Sequence, residues 1–131
     1  MRLSPNKPPN YDQFKQFFPG FEKHEPVFVY GDVIYNPFNR DLTPDVVFHE
    51  EVHSRQQGKN PEFWYSRYFR EPHFRLEQEV EAYRAQYAFV NKRVKDRELK
   101  AFFLHQLSTA LASPLYGNLV TREEAWKLIR G

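Results

Sequence analysis

The sequence predicts a mainly α fold with one small β-hairpin, an α+β domain, and three observations carry that expectation. Two β-rich runs, "VFVY" and "VIY", flank the Gly31-Asp32 pair. From Thr43 onward, cap-plus-proline signals recur. Between them lie stretches long enough for several helices, some with apolar residues at three- and four-residue spacing. A chain of 131 residues is most simply one domain, long enough to bury a core without disulfides or a structural metal.

Taken in chain order, the first segment is unusual in its prolines. Pro5, Pro8, Pro9 and Pro19 make residues 1–24 a proline-rich arm, draped over the domain or loose, ahead of a single domain at 25–131. Tyr11, Phe14, Phe17 and Phe18 argue that part of the arm docks. The hairpin around Gly31-Asp32 follows and is the one strand pair expected. Thr43 as cap, Pro44 at the first helical position, Asp45 at the positive end of the dipole and Gly58 as a stop predict a helix over Pro44 to Gln57. Asn60-Pro61 starts a short aromatic helix to about Phe69, and Pro72 opens a longer one to about Val94. Another runs from about Asp96 to Ala112, where Ser113-Pro114 breaks it. The last begins at "TREE", with Thr121 and Glu124 placed for a capping box.

Composition excludes several function classes. With 19 basic and 17 acidic side chains, the charge is too balanced to require nucleic acid or an anionic membrane as partner. The densest basic run, "KRVKDRELK" from Lys92 to Lys100, has interleaved acids and reads as a solvated helix face. With no cysteine, there are no disulfides, thiol nucleophiles or thiolate ligands, so any chemistry uses nitrogen and oxygen. No apolar leader or span of about 18 apolar residues is present, and the expected location is the cytoplasm.

The motif that carries chemistry is "HEEVH" within the Pro44–Gln57 helix. Helical residues four apart differ by about 40° and rise about 6 Å, so His49 and His53 can converge on one ion. Glu50 points about 100° from His49, outside the ligand set but close enough to act on a metal-activated water. This is the physical content of H-E-x-x-H. Glu51 falls near 200° and Arg55 near 240°, which predicts an exposed ion pair between them.

A catalytic zinc takes three protein ligands and keeps a position open. The metzincin continuation is excluded, because Gln56 and Lys59 stand where it needs glycine and histidine. What remains is His73, His105 and the glutamates of "FRLEQEVEAYRAQ". Measured from the apolar stripe Leu76, Val80, Tyr83, Tyr87 and Val90, Glu79 lies about 60° away, Glu77 about 100° and Glu81 about 140°. Glu79 is therefore the glutamate at the edge of the buried face, with Arg75 as its alternative partner. His73, at a helix start, is the alternative ligand, and His105 reads as a core or boundary residue.

These residues resemble the gluzincins, thermolysin-like zinc metallopeptidases, and most nearly the small single-domain minigluzincins. The family pattern is H-E-x-x-H on one helix, then, roughly twenty to thirty residues later, a glutamate often within E-x-E-A-D. Here "HEEVH" is followed by "EVEAY", 26 residues separating His53 from Glu79. The resemblance implies a zincin-like minidomain in which an active-site helix is followed by a ligand-bearing helix. It makes His49, His53 and Glu79 the ligands of one Zn2+ per chain and Glu50 the base that activates a metal-bound water against a peptide or protein substrate. Tyr83 departs from the pattern, standing where many members carry an aspartate that holds a zinc-binding histidine. It further implies that the hairpin's free edge pairs with an extended peptide. Tyr116 and His105 are candidates for the oxyanion donor.

Two other readings remain open. One is a non-catalytic, peptidase-like binding or assembly module, with or without zinc. The other is latency, with the N-terminal arm lying in the cleft until it is trimmed before about Gly20.

Overall fold

The computed structural model describes all 131 residues. The chain runs as β1 (Arg2–Ser4), α1 (Tyr11–Phe17), β2 (Phe28–Tyr30), β3 (Val33–Tyr35), α2 (Pro44–Gln57), α3 (Pro61–Arg70), α4 (Pro72–Arg93), α5 (Arg97–Leu111) and α6 (Arg122–Arg130), with short 3-10 turns at Phe21–His24 and Pro114–Tyr116. It is a helical protein with a small sheet, and no helix is long and apolar enough to cross a membrane.

The hairpin forms where Gly31 allows it. Gly31 has φ 64° while Asp32 does not enter the positive-φ region, the combination of a type II′ turn. Its antiparallel register sets Tyr30 opposite Val33 and Phe28 opposite Tyr35. The sheet has a third strand, since β1 pairs parallel with β3, Arg2 opposite Val33 through Ser4 opposite Tyr35. That strand was not expected. It is three residues long, has no alternating pattern to read, and finds its partner some 30 positions along the chain.

Residues 1–24 are bound into the domain at both ends of the segment. Beyond β1, Tyr11 and Phe14 on α1 and Phe21 in the following turn join Phe28, Trp64, Tyr65, Tyr68 and Phe69 in one aromatic core. Phe14 sits edge-on to Phe28 and Phe69, each at 4.9 Å between centroids, and Phe17 stacks on Phe69 at 5.0 Å. The arm is thus part of what holds α3 in place.

The helix limits follow the punctuation of the sequence. Gly58, at φ 58°, ends α2, and the Asn60 side chain accepts from the Phe63 N–H to start α3. Asp96 caps α5 through the N–H groups of Glu98 and Leu99, and Thr121 with Glu124 completes a capping box on α6. Thr43 makes no side-chain cap bond, so Pro44 marks the start of α2.

A second core gathers Tyr83 of α4 with Leu104, Leu107 and Leu111 of α5 and Ala125 and Ile129 of α6. Leu76, Val80 and Tyr87 pack partly buried against it. The apolar stripe of α4 therefore faces α5 and α6. A different face of the same helix is the more deeply buried, and it is largely polar: Arg75, Glu79, Ala82, Tyr83 and Gln86. Glu79 is within that face, not at its edge, because α4 is covered on two sides and the stripe marks only one of them.

Candidate metal centre

The buried residues of α2 are His49, Glu50, Val52, His53 and Gln57, four of them polar. Burying that many polar groups is unfavourable unless each is satisfied or used. Gln57 is satisfied: its amide donates to the Val29 carbonyl at 2.9 Å and accepts from the Gly31 N–H at 2.8 Å. Ser54 donates to the Gly31 carbonyl at 2.7 Å, so the end of α2 is bolted to the hairpin.

The two histidines and Glu79 form one cluster whose ligand atoms lie within 4.8 Å of one another. Glu79 Oε1 is 3.2 Å from His53 Nε2 and 3.5 Å from His49 Nε2. Ligands at about 2.0–2.1 Å around a tetrahedral zinc are roughly 3.3 Å apart, so these separations are those of a coordination edge. The other carboxylate oxygen accepts from the Tyr68 hydroxyl at 2.6 Å, leaving Oε1 directed at the imidazoles. Behind the rings, His49 Nδ1 meets Gln86 Oε1 at 2.9 Å and His53 Nδ1 meets Gln56 Oε1 at 2.8 Å. A carbonyl oxygen only accepts, so each ring donates from Nδ1 and turns Nε2 toward the Glu79 carboxylate, where a second proton or a metal ion can lie between them. Two imidazole nitrogens and a carboxylate oxygen gathered around one point could hold a metal ion.

The electrostatics agree. Burial opposes ionisation of Glu79, but the imidazoles of His53 and His49 hold its carboxyl far below the ordinary range. Burial likewise disfavours a His53 cation, yet the Glu79 carboxylate outweighs it and raises the imidazole to about 9. A proton on His53 is one cation that answers the site, and a metal ion is the other.

Glu50 lines the same cavity, 9% exposed, and makes no hydrogen bond. Burial pushes its carboxyl up against the pull of both histidines. The cavity has a volume of about 330 Å³ and is walled by aromatic and aliphatic side chains, among them Phe14, Phe28, Trp64 and Leu107. Tyr68, Tyr83 and Tyr116 reach it as well, their phenols raised by burial and so neutral donors at physiological pH.

Each residue singled out in the sequence can now be placed. His49, Glu50, His53 and Glu79 come together, and Tyr116 lies on the cavity wall. Tyr83 touches His49 through its ring, edge-on at 4.5 Å, but its hydroxyl goes to Tyr116 at 2.7 Å instead of to a histidine nitrogen. His105 is outside the cavity, exposed on α5 with its Nδ1 3.0 Å from Arg122 Nη1. His73 is exposed beside Glu77, and Arg75 turns away from Glu79 to the carbonyls of Tyr68 and Tyr116. Glu51 and Arg55 form no ion pair; among the helices, i, i+4 contacts of that kind are Arg67–Glu71 and His73–Glu77. Along the outer side of β2, the Val29 carbonyl is taken by Gln57 and by the Tyr65 hydroxyl, so that edge is not wholly free.

The residues not foreseen are Gln86, Gln56 and Tyr68. Gln86 is seven positions after Glu79, two turns along the same face of α4, and Gln56 is three after His53. Those spacings were readable; which side chain each would meet depends on how α2 crosses α4.

No protein-family model matches the chain, and neither curated proteins nor solved structures provide a match.

Proposed function

We propose that the chain is a zinc-dependent peptidase, of the gluzincin type its motif resembles, acting on peptide or protein substrates. The observation that carries this reading is Glu50: a buried carboxylate without a hydrogen-bond partner, in a cavity of about 330 Å³, beside three side chains converging on one point.

His49, His53 and Glu79 would hold the ion, which supplies Lewis acidity to the substrate carbonyl and lowers the pKa of a water to about 7. Glu50 takes the proton of the attacking water and returns it to the leaving amine. Its raised pKa favours both roles by bringing the acid and base forms closer in energy near neutrality. Tyr116 donates to the developing oxyanion, its hydroxyl backed by that of Tyr83. The aromatic walls exclude water and accept apolar side chains flanking the scissile bond. Strand-like pairing of the substrate is confined to Pro26–Phe28, ahead of the occupied Val29 carbonyl.

A second reading, a module that binds but does not cleave, with or without zinc, draws on that same occupied carbonyl, which shortens the edge open to a peptide. One comparison separates the two. Glu50→Gln should keep about one zinc per chain, as in the wild type, and lose cleavage of a peptide library. A zinc-loaded wild type that cleaves nothing favours the module, and a gently purified wild type without zinc ends the peptidase reading.

A further inference from the structure

Behind each metal-facing histidine stands a glutamine, and behind each glutamine a carboxylate. Gln86 Nε2 donates to Asp45 Oδ2 at 2.8 Å while its Oε1 faces His49 Nδ1. Gln56 Nε2 donates to Glu81 Oε1 at 2.6 Å and to the Gln78 carbonyl at 3.0 Å while its Oε1 faces His53 Nδ1.

The order of donors in these chains is forced. An amide presents two donors at one end and only lone pairs at the other, and a carboxylate only accepts. Asp45 therefore draws the NH2 of Gln86 toward itself and turns Oε1 to His49. A flipped amide would set its oxygen against the half-buried carboxylate and lose this hydrogen bond. Once Oε1 faces the ring, Nδ1 must carry the proton and Nε2 is left as the ligand atom. The two chains also cross between helices in opposite senses. Gln86 on α4 holds His49 of α2 and is held by Asp45 of α2, whereas Gln56 on α2 holds His53 of α2 and is held by α4.

From this arrangement we propose that Asp45–Gln86 and Gln78–Gln56 are positioning relays that fix the tautomer and orientation of His49 and His53, so that Asp45, remote from the ion, governs its affinity, while Glu81 is only an exposed second acceptor for Gln56. The proposal rests on the metal-centre reading above. Gln86 is itself 6% exposed, so its contact with His49 is shielded from competing water, while Asp45 is half-buried. The relays are not equivalent. Gln86 depends on Asp45, whereas Gln56 has two acceptors, and the Gln78 carbonyl suffices to orient it if Glu81 is neutralised.

The test is the Zn2+ affinity of the full chain by chelator competition, read beside apo thermal stability and the visible absorption of the Co2+-loaded protein. Gln86→Met and Gln56→Met should each weaken Zn2+ binding by about 10- to 100-fold. Asp45→Asn should weaken it in the same direction although Asp45 does not touch His49, and Glu81→Gln should stay close to wild type. In Asp45→Asn/Gln86→Glu, a carboxylate at position 86 can accept from both His49 Nδ1–H and the amide at position 45. That pair should restore affinity and the wild-type Co2+ spectrum. Wild-type affinity in Gln86→Met and Asp45→Asn would overturn the proposal, as would losses that track apo stability and are not rescued by the double variant. Cleavage is not a readout here, so an inactive protein with this affinity pattern would count against the peptidase reading and leave the relays standing.

Discussion

The hydroxyls of Tyr83 and Tyr116 lie 2.7 Å apart on the wall of the cavity that holds Glu50 and Glu79. Two hydroxyls so placed share one proton between them and leave the other free to donate elsewhere. The Tyr68 and Tyr65 hydroxyls are already committed, to Glu79 and to the Val29 carbonyl. The Tyr83–Tyr116 pair therefore carries the one uncommitted phenolic proton among these four tyrosines. Tyr116→Phe should lower kcat by about 10²- to 10³-fold, as loss of an oxyanion donor does, with KM and zinc content little changed. Tyr83→Phe should have a smaller effect, since Tyr116 keeps its own proton. Steady-state kinetics beside metal analysis checks both, and an unchanged kcat in Tyr116→Phe removes it from the mechanism.

Glu79 is the only carboxylate among the three converging side chains, and its second oxygen is held by Tyr68. Glu79→Ala should leave no stoichiometric zinc after dialysis, while far-UV circular dichroism still shows the helices. Tyr68→Phe keeps all three ligands but frees the carboxylate to rotate, and should weaken zinc by about tenfold or more. Retention of full zinc by Glu79→Ala would mean that the ion is bound elsewhere.

His49, Glu50, His53 and Glu79 were legible because a helix fixes the angle between residues whatever it packs against. The same reasoning misplaced Glu79 within its helix: the apolar stripe of α4 marks contact with α5 and α6, while the polar face turned to α2 is buried more deeply. Gln86 and Gln56 were not legible, since meeting an imidazole depends on the crossing of two helices. His105 was misread through its neighbours: "FFLHQL" is rich in apolar residues, but Phe102 is 60% exposed and the histidine shares the open side of α5. The hairpin and the helix limits followed from Gly, Pro and capping residues. The strand β1 had no local signal at all.

Trimming the N-terminal segment should destabilise the protein instead of activating it. Removal of residues before Gly20 takes away β1 together with Tyr11 and Phe14, both buried in the aromatic core. Phe14→Ala alone should cost about 3–5 kcal/mol, the usual range for emptying a buried phenylalanine site. Urea denaturation measures this directly. A trimmed chain with wild-type midpoint and raised peptidase activity would instead support latency.

Zinc removal should be read most clearly in stability, because an ion that binds only the folded chain stabilises it by mass action. At free Zn2+ a thousandfold above Kd the gain is about 4 kcal/mol. For a chain of this size that corresponds to roughly 10 °C or more in Tm. Chelation should therefore lower Tm by that order, and adding Zn2+ back should restore it. The same treatment of Glu79→Ala should produce no shift, which separates binding at this site from nonspecific effects of the chelator. Equal shifts in the two proteins would place the ion away from His49, His53 and Glu79.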